Sequence, residues 1–460
     1  MSQTASASSR TSATQSPAAA SGPAGPAGAA GAAGLTGSVP TVAGRVSDVR
    51  SSLLASLSGT PGRLRVLALL TVAVSLIFGV GAFSTFGSAN DALGRAGANA
   101  AQLVRIQAIH TNLIRADADA TNAFLVGGLE PAGQRARYTA SMAQASRLIA
   151  EAAKAQPADG QALGALNNAV LTYAGLIEQA RATHRQALPV GAQYLRVASS
   201  GLRSDALPIL DALVSANDAR VRAELDSAAR ASVALIVTGV LALIVLIGGM
   251  VWLSRRTHRY VNAPLVAATA AILVTLVIGI LVLASVGSRV NTVRDGSYAA
   301  TLATAQARIA AFDAKSNESL TLIARGSGSA FQKAWLASSK EVTDQSATSA
   351  RLNSDAATMG RLWRAYSDTH AAIRKADDSG RWEAAVQQAV GSGPTSANAT
   401  FGAFDTDSAA ALKSSSSSAT DSLDAPRTWL GIAAWLGLLV GIAAAVSAWW
   451  GVSLRLEEYR

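Results

Sequence analysis

Two polar runs in otherwise alanine-rich segments carry side chains that could recognise a small zwitterion. They are Arg115, Asp117, Asp119 and Asn122 in the first run, and Asp313, Lys315, Asn317 and Glu318 in the second. A cation binds a carboxylate and an anion binds an ammonium, so an amino acid would find both partners in either run. The same pattern also suits a solvated helix face with internal ion pairs, or a face that contacts a binding protein.

Other kinds of chemistry find no support in the sequence. The chain has no cysteine, which excludes disulfides, thiolate nucleophiles and iron–sulfur clusters. Its histidines are far apart, and we interpret His110, His184 and His370 as surface side chains rather than metal ligands. Gly-rich phosphate loops and the H-E-x-x-H and G-x-S-x-G motifs are absent. We therefore predict a protein that is not an enzyme and has no cofactor or metal.

Four stretches without a charged residue must place these polar runs relative to a membrane. Half of the 460 residues are hydrophobic and only 15% are charged. The uncharged stretches are 66–86, 232–253, 264–286 and 429–450. A bilayer core of about 30 Å needs roughly 20 helical residues, so each stretch predicts a transmembrane helix. Tryptophans at the ends of the last stretch are typical of a membrane interface.

The distribution of arginine predicts the orientation. Segments 1–65, 254–263 and 451–460 hold ten arginines against three acidic residues, whereas the two long segments between the spans are nearly neutral. Basic residues concentrate on the cytoplasmic side of membrane proteins. We therefore expect a multi-pass plasma (inner) membrane protein with both termini in the cytoplasm. The isoelectric point near 10.3 then reflects topology and requires no nucleic-acid partner.

The two long segments have similar lengths and the same order of elements. Apolar residues recur in them at three- and four-residue steps, and Gly and Pro residues interrupt the pattern at similar places. In the first segment this periodicity predicts a helix that contains residues 103–114 and ends at Gly127, followed by helices over 134–154, 161–186 and 192–229. In the second segment it predicts helices over 300–323, 331–353, 356–375 and from 382 onward. Asp117 aligns with Asp313 when the segments are superposed. We interpret the pattern as a tandem duplication of an antiparallel four-helix bundle.

The predicted fold class is thus an all-α membrane protein with four transmembrane helices and two tandem extracytoplasmic bundles. The predicted parts are a disordered Ala/Gly/Ser/Pro-rich cytoplasmic tail and linker (1–62), the first span (63–87), bundle 1 (88–230), the second span (231–254), a basic cytoplasmic loop (255–263), the third span (264–287), bundle 2 (288–426), the fourth span (427–452) and the cytoplasmic C-terminus (453–460). Gly437 and Gly441 form a small-xxx-small pattern, which permits close helix packing within the chain or in a homo-oligomer.

This arrangement resembles two known groups of proteins. The bundles resemble the four-helix-bundle sensory domains of bacterial chemoreceptors and sensor kinases, although the large cytoplasmic signalling domain of those receptors is missing here. The Ala/Ser/Pro/Gly tail, the tandem units, the loop Arg255-Arg256-Thr257-His258-Arg259 and the C-terminal stretch 455–460 are similar to the GlnX-type four-span membrane proteins of actinobacteria.

The GlnX-type resemblance implies a non-enzymatic sensor or adaptor with two protein partners. One would be a lipoprotein outside the membrane that binds glutamine, glutamate or aspartate, and the other a cytoplasmic Ser/Thr protein kinase. The residues expected to contact the cytoplasmic partner are Arg255, Arg256, Arg259, Glu457, Glu458 and Tyr459. The arginines of the loop also suit topology signals and contacts with anionic lipid. A structural membrane scaffold and a stand-alone small-molecule receptor are the alternative functions.

Overall fold

The computed structural model describes residues 60–126, 130–186, 188–230, 232–257 and 262–457. Within these ranges the chain is helical apart from short turns, and no strand occurs. Four helical runs are long and apolar enough to cross a membrane: Gly62–Leu125, Val190–Arg255, Ala263–Ile323 and Ala397–Leu454. The predicted all-α class with four membrane-length helices is therefore confirmed. Nearly all of the predicted disordered tail (1–59 of 1–62) lies outside the described residues.

Thirteen α-helices are described within these ranges. They are α1 (Thr60–Leu125), α2 (Ala132–Ala155), α3 (Gly160–Arg185), α4 (Val190–Gly201), α5 (Leu207–Arg230), α6 (Ser232–Thr257), α7 (Ala263–Val293), α8 (Ala299–Ile323), α9 (Ser329–Leu352), α10 (Met359–Asp378), α11 (Trp382–Val390), α12 (Ala397–Asp424) and α13 (Arg427–Glu457). The helices predicted from periodicity are present, and their ends lie within a few residues of the predicted ones.

Two π-helical turns modify the long helices. One, Leu202–Ala206, joins α4 to α5, and the other, Arg294–Tyr298, joins α7 to α8. In the first turn the backbone N–H of Leu207 donates to the carbonyl of Leu202, five residues back. Pro208 follows immediately and has no N–H for the usual bond to the carbonyl four residues back, so the helix widens here instead of ending.

The first helix contains both a membrane-length apolar stretch and the first polar run. α1 has 66 residues without a break, so at about 1.5 Å per residue it is roughly 100 Å long. Its N-terminal part contains the uncharged stretch 66–86, and its C-terminal part carries the first polar run. The apolar stretch and the polar run therefore belong to one unbroken helix.

The outer faces of the four apolar stretches carry large exposed hydrophobic side chains. They include Leu69, Ile77, Ile244, Leu281 and Leu439. Groups of exposed apolar side chains mark surfaces that contact a membrane or another protein. The four helices are therefore compatible with a multi-pass membrane protein whose lipid-facing side chains point outward.

The extramembrane helices share one apolar core. Its buried members come from the first long segment, for example Leu113 and Tyr173, and from the second, for example Trp363 and Phe404. Helices α1 and α8 pack against each other along this core. The two long segments therefore lie side by side and are held together by apolar burial. Their origin as tandem duplicated bundles stays a prediction.

The small-residue pattern in the fourth span packs within the chain. A Cβ built on Gly441 would lie 2.8 Å from the backbone nitrogen of Gly79 and 2.9 Å from the carbonyl oxygen of Ser75. One built on Gly437 would lie 2.7 Å from the Cβ of Ala82. Helices α1 and α13 thus approach with their backbones in contact, which only glycine permits at these positions.

We expect Gly441→Ala to destabilise the protein by about 1–3 kcal/mol, because the added methyl group meets backbone atoms that cannot move aside. Gly431→Ala is the matched control, since it lies on the same helix and its Cβ would have nothing within 4 Å. Both changes alter intrinsic helix propensity equally. Thermal unfolding of the detergent-solubilised chain, followed by tryptophan fluorescence, checks this. Equal melting temperatures for the two variants would contradict the close approach.

Candidate functional site

The two polar runs meet across the contact between α1 and α8. Arg203, from the π turn between α4 and α5, joins them. Its Nη1 lies 3.0 Å from Oδ2 of Asp117, and its Nη2 lies 2.7 Å from Oδ1 of Asp313. We call Asp117, Arg203 and Asp313 the Arg203 cluster. The two aspartates that align in the sequence are therefore bound to the same guanidinium.

Asp117 is fully buried, and its hydrogen bonds compensate for the lost hydration. Its Oδ1 accepts from the hydroxyl groups of Tyr173 and Ser199, and its Oδ2 accepts from the hydroxyl of Ser316 at 2.7 Å as well as from Arg203. Burial would lower the pKa of Arg203, but the two aspartates outweigh this effect and raise it. The arginine is therefore charged at every physiological pH.

A second ionic cluster lies nearby with the opposite arrangement of charge. Asp405 of α12 accepts from Arg115 of α1 at 2.7 Å and from Arg308 of α8 at 2.8 Å. The ring of Phe312 packs under the guanidinium of Arg115, 4.7 Å from its centroid. We call Arg115, Arg308 and Asp405 the Asp405 cluster. One anion between two cations here complements one cation between two anions in the Arg203 cluster.

Together the two clusters connect all four membrane-length helical runs. The Arg203 cluster joins α1, the π turn that continues into α5, and α8. The Asp405 cluster joins α1, α8 and α12. Because both clusters are only partly exposed, their ion pairs are screened less by salt than surface pairs are. Since every helical run contributes a residue to one of the clusters, a movement of one run changes an ionic contact with another run.

Glu318 lies in a third, fully internal site. Its carboxylate accepts from Lys315 Nζ at 2.8 Å and from the hydroxyl of Tyr366 at 3.1 Å, and it lies 2.9 Å from Nδ1 of His370. Burial alone would raise the pKa of Glu318, but Lys315 and the hydrogen bond with His370 outweigh it and lower the pKa to about 2. Glu318 is therefore ionised although it is inaccessible to solvent.

The surface interpretation of the histidines is wrong for two of them. His370 is buried, stacks on the ring of Trp335 at a centroid distance of 3.7 Å, and contacts Glu318 and Gln332. His110 is also buried, and burial lowers its pKa. Tertiary contacts supply these polar partners, which single-sequence periodicity cannot reveal. In the described ranges, no group of three or more His, Cys, Asp or Glu side chains could hold a metal ion.

Four of the predicted site residues line one cleft. The cleft has a volume of about 590 Å³ and lies among α1, the start of α2, α8 and the segment from Val390 to α12. The four residues are Arg115, Asp119, Asn122 and Lys315. Asn122 donates to Asn398 at 3.1 Å, and Arg137 donates to Asp119 at 3.0 Å. Burial raises the pKa of Asp119, and Arg137 offsets part of this rise.

The other four predicted residues lie away from this cleft. Asp117 and Asp313 belong to the Arg203 cluster, Asn317 donates to Asp313 at 3.0 Å, and Glu318 is internal. Burial of Asp117, Asn122, Lys315, Asn317 and Glu318 shows that the two runs are not a solvated face, although the expected ion pairs do form. Contact with a ligand or a binding protein stays a prediction for all eight residues.

The predicted cytoplasmic contact residues are described only in part. Arg255 is exposed near the end of α6, and Arg256 and Glu457 belong to the backbones of α6 and α13. Arg259, Glu458 and Tyr459 lie outside the described residues. Nearby, the side chain of Asn262 donates to the carbonyl of Gly451 at 2.7 Å and ties the start of α7 to α13. Contact with a cytoplasmic partner stays a prediction.

Sequence reasoning missed the residues that complete both ionic clusters. Arg203, Arg308 and Asp405 stand in predicted helices with no unusual neighbours in sequence. A local signal exists at Pro208, five residues after Arg203, because a proline inside a helix removes a backbone hydrogen bond and indicates an irregularity there.

The comparison with protein families identifies one domain. Residues 92–226 match the sequence model of a family described as actinobacterial sensor domain. The match begins within α1 and ends within α5, so it includes the first polar run and Arg203. Comparison with curated proteins and with solved structures gives no match for the chain.

The sensor-domain match and the four membrane-length helices together support a sensory membrane-type protein, as in actinobacteria. The finer likeness to GlnX-type proteins stays a prediction.

Glu318→Gln tests the internal site. Loss of the Glu318 carboxylate leaves Lys315 buried without an anion, and we expect a destabilisation of about 3–5 kcal/mol at neutral pH. The pKa of Glu318 is about 2 in the fold against 4.5 for an ordinary glutamate, so the carboxylate stabilises the fold above pH 4.5. This stabilisation is lost as the pH falls towards 2.

The measurement is the difference in melting temperature between the natural chain and Glu318→Gln across that pH range. It should be largest above pH 4.5 and shrink towards pH 2. Glu341→Gln, at an exposed glutamate of α9, is the control and should give a small difference that does not change with pH. A constant difference for Glu318→Gln would show that Glu318 is not held ionised.

Proposed function

We propose that this protein is a non-enzymatic transmembrane sensor and adaptor. It relays the extracytoplasmic status of glutamate, glutamine or aspartate from a binding lipoprotein to a cytoplasmic Ser/Thr protein kinase. The sensory role is supported by the actinobacterial sensor-domain match over residues 92–226. The two partners and the amino-acid specificity derive from the resemblance to GlnX-type proteins.

The single observation that carries this proposal is the Arg203 cluster. Arg203 holds α1 and α8 together and stands in the π turn that leads through α5 towards α6. Its contacts are 2.7–3.0 Å long, so a shift of about 1–2 Å, typical of helix movements in switching proteins, breaks or re-forms them. π turns within helices also occur frequently at functional sites.

The relay would run from outside to inside along continuous helices. A lipoprotein that binds the outer surface would change the packing of α1 against α8, and the Arg203 cluster would convert this change into a displacement of α5 and α6. The basic loop 255–263 and the C-terminus would present the change to the kinase, with Arg255, Arg256, Arg259, Glu457, Glu458 and Tyr459 as the contact residues. Both termini and this loop are cytoplasmic in this proposal.

A stand-alone receptor is the second candidate, and the 590 Å³ cleft favours it. Its volume lies within the range of small-molecule sites, and it combines phenylalanine walls with convergent polar groups. A structural scaffold without signalling would show no change in either the cleft or the ionic clusters when ligand or partner is added.

Isolation of the partners tests the relay. The full-length protein is cross-linked in its native membrane, purified under denaturing conditions and analysed by mass spectrometry. We expect an amino-acid-binding lipoprotein and a Ser/Thr kinase among the cross-linked proteins, with cross-links to the kinase on the basic loop. Recovery of neither partner would overturn the adaptor proposal and leave the receptor.

Arg203→Lys tests the route. Lysine keeps the positive charge but lacks the planar fork that reaches both aspartates, so the fold is retained while the link between α1 and α8 weakens. We expect the amino-acid response of kinase-substrate phosphorylation in cells to fall roughly tenfold, as a loss of about 1.4 kcal/mol of coupling would produce.

Arg222→Lys is the control for this variant. Arg222 is on α5 and largely exposed, and among the described residues its ion-pair partner is Asp218, one turn away. Its replacement should leave the response unchanged. Membrane levels of both variants are measured by immunoblot. A full response from Arg203→Lys at normal membrane level would refute the route through the Arg203 cluster.

A further inference from the structure

The cleft that holds four of the predicted site residues also contains polar atoms without a partner. Arg115 Nε, Asn122 Oδ1 and Gln134 Oε1 are inaccessible to water and form no hydrogen bond. Asn122 is 4% exposed and Gln134 is 6% exposed. Buried polar groups in folded proteins are almost always paired, so three such atoms around one cleft indicate a missing partner.

The orientation of the Asn122 amide is fixed by its neighbours. Its Nδ2 donates to Oδ1 of Asn398, whose own Nδ2 donates to the carbonyl of Val390. A carbonyl only accepts, so the bond to Val390 identifies the amide nitrogen of Asn398. The oxygen of Asn398 then faces Asn122, so the atom of Asn122 that donates to it is the amide nitrogen. The unpartnered atom of Asn122 is therefore its carbonyl oxygen, and the missing partner must be a donor.

The unpartnered atoms define what the partner must offer. Two are acceptors, on Asn122 and Gln134, and one is a donor, on Arg115. An ammonium group donates up to three hydrogen bonds and a carboxylate accepts several. A ligand with both groups would complete the set. A metal ion would suit the two carbonyl oxygens but leave Arg115 Nε without an acceptor, and a purely anionic ligand would suit Arg115 but leave the two oxygens without a donor.

The remaining walls of the cleft limit the ligand further. The charged side chains on the walls are three cations, Arg115, Arg137 and Lys315, and two carboxylates, Asp119 and Asp405. Each of these already has an ion-pair partner in the chain. Phe312 and Phe401 supply an apolar surface. When the partners Glu318 and Arg308 are counted as well, the cations exceed the anions by one, which favours a ligand that is neutral or carries one negative charge.

We propose that this cleft binds one free α-amino acid, neutral or acidic, directly from the extracytoplasmic side. The three atoms are covered in the ligand-free arrangement, so binding must displace the side chains that cover them. The ammonium group then donates to Asn122 Oδ1 and Gln134 Oε1, and the α-carboxylate accepts from Arg115 Nε. This inference rests on the sensory role in the proposed function, but it requires neither the lipoprotein nor the kinase. Gln134 has no place among the residues that sequence reasoning selected, so the structure adds it to the site.

Such a ligand would form hydrogen bonds with two different helices. Asn122 and Arg115 belong to α1, whereas Gln134 lies in the first turn of α2. Arg115 is also a member of the Asp405 cluster, which joins α1 to α8 and α12. Binding would therefore act on the same contacts that hold the membrane-length helical runs together.

Direct binding is measured on the purified full-length protein in lipid nanodiscs by isothermal titration calorimetry. The probes are L-glutamine and L-glutamate, with N-acetyl-L-glutamine as the analogue that lacks the ammonium group. We expect saturable binding of at least one natural amino acid and no detectable binding of N-acetyl-L-glutamine. Absence of binding by both natural amino acids overturns the inference, and so does equal binding of the acetylated analogue.

Gln134→Met assigns the site. Methionine has a similar length but cannot accept from an ammonium, so we expect affinity to fall at least tenfold, as for the loss of a hydrogen bond to a charged group. The fold should be unimpaired because the Gln134 oxygen has no partner to lose. Circular dichroism and melting temperature check this in the same preparation.

Gln107→Met is the matched control. Gln107 is also on α1, 2% exposed, and its Oε1 also lacks a partner, but it is not among the residues lining the cleft. We expect the Gln107→Met variant to bind the amino acid with the same affinity as the natural chain. An equal loss in both variants would show that the change is general and would refute the assignment. Failure of binding would leave the cross-linking result for the lipoprotein and the kinase unaffected, so the two proposals fail separately.

Discussion

The burial of the Asp117 carboxylate is the constraint on which the extramembrane part of this protein depends. An ionised group removed from water is tolerated only when a counter-ion and several hydrogen bonds replace its hydration. Here Arg203 supplies the charge, and Tyr173, Ser199 and Ser316 supply the hydroxyl groups. These partners come from four different helical elements, so α1, α3, α4 with its π turn, and α8 can adopt only the register that brings them together. Apolar packing alone tolerates small sliding movements of helices, but this carboxylate does not.

The membrane part is packed in a way that restricts which helices can respond. Helices α1 and α13 touch through backbone atoms at Gly79 and Gly441, and a displacement there would separate close-packed surfaces along their length. Helices α6 and α7 instead meet through leucine side chains that lie on glycines, Leu276 on Gly239 and Leu235 on Gly279. A leucine can change rotamer, so this second contact accommodates a shift at lower cost. The helix that leads from Arg203 towards the membrane continues into this more adaptable pair.

The sequence predicted the helices and the spans because these depend on local periodicity and on Gly and Pro residues that interrupt it. It also paired Asp117 with Asp313 by their spacing, and the structure brings both to one arginine. The identity of that arginine was beyond prediction, since contact between α1, the π turn and α8 is set by tertiary register and not by neighbours in sequence. For the same reason the sequence pattern of the polar runs also suits a solvated helix face, although Asn122, Lys315 and Glu318 are buried. Burial of a polar side chain depends on partners such as Asn398 and His370, which lie far away along the chain.

The charged residues that first suggested a zwitterion site are mostly used by the chain itself. Arg115 and Lys315 have Asp405 and Glu318 as partners, and Asp119 has Arg137. What these pairs leave free is the uncharged amide oxygen of Asn122, that of Gln134, and one edge of the Arg115 guanidinium. A ligand can shift an equilibrium between two arrangements only by the difference in its affinity for them. Asn122 is on α1 and donates to Asn398 at the start of α12, whereas Gln134 is on α2, so the distance between the two oxygens depends on how these helices pack together. An ammonium that must reach both oxygens therefore favours one arrangement over the other, and this difference is the quantity from which a signal could be made.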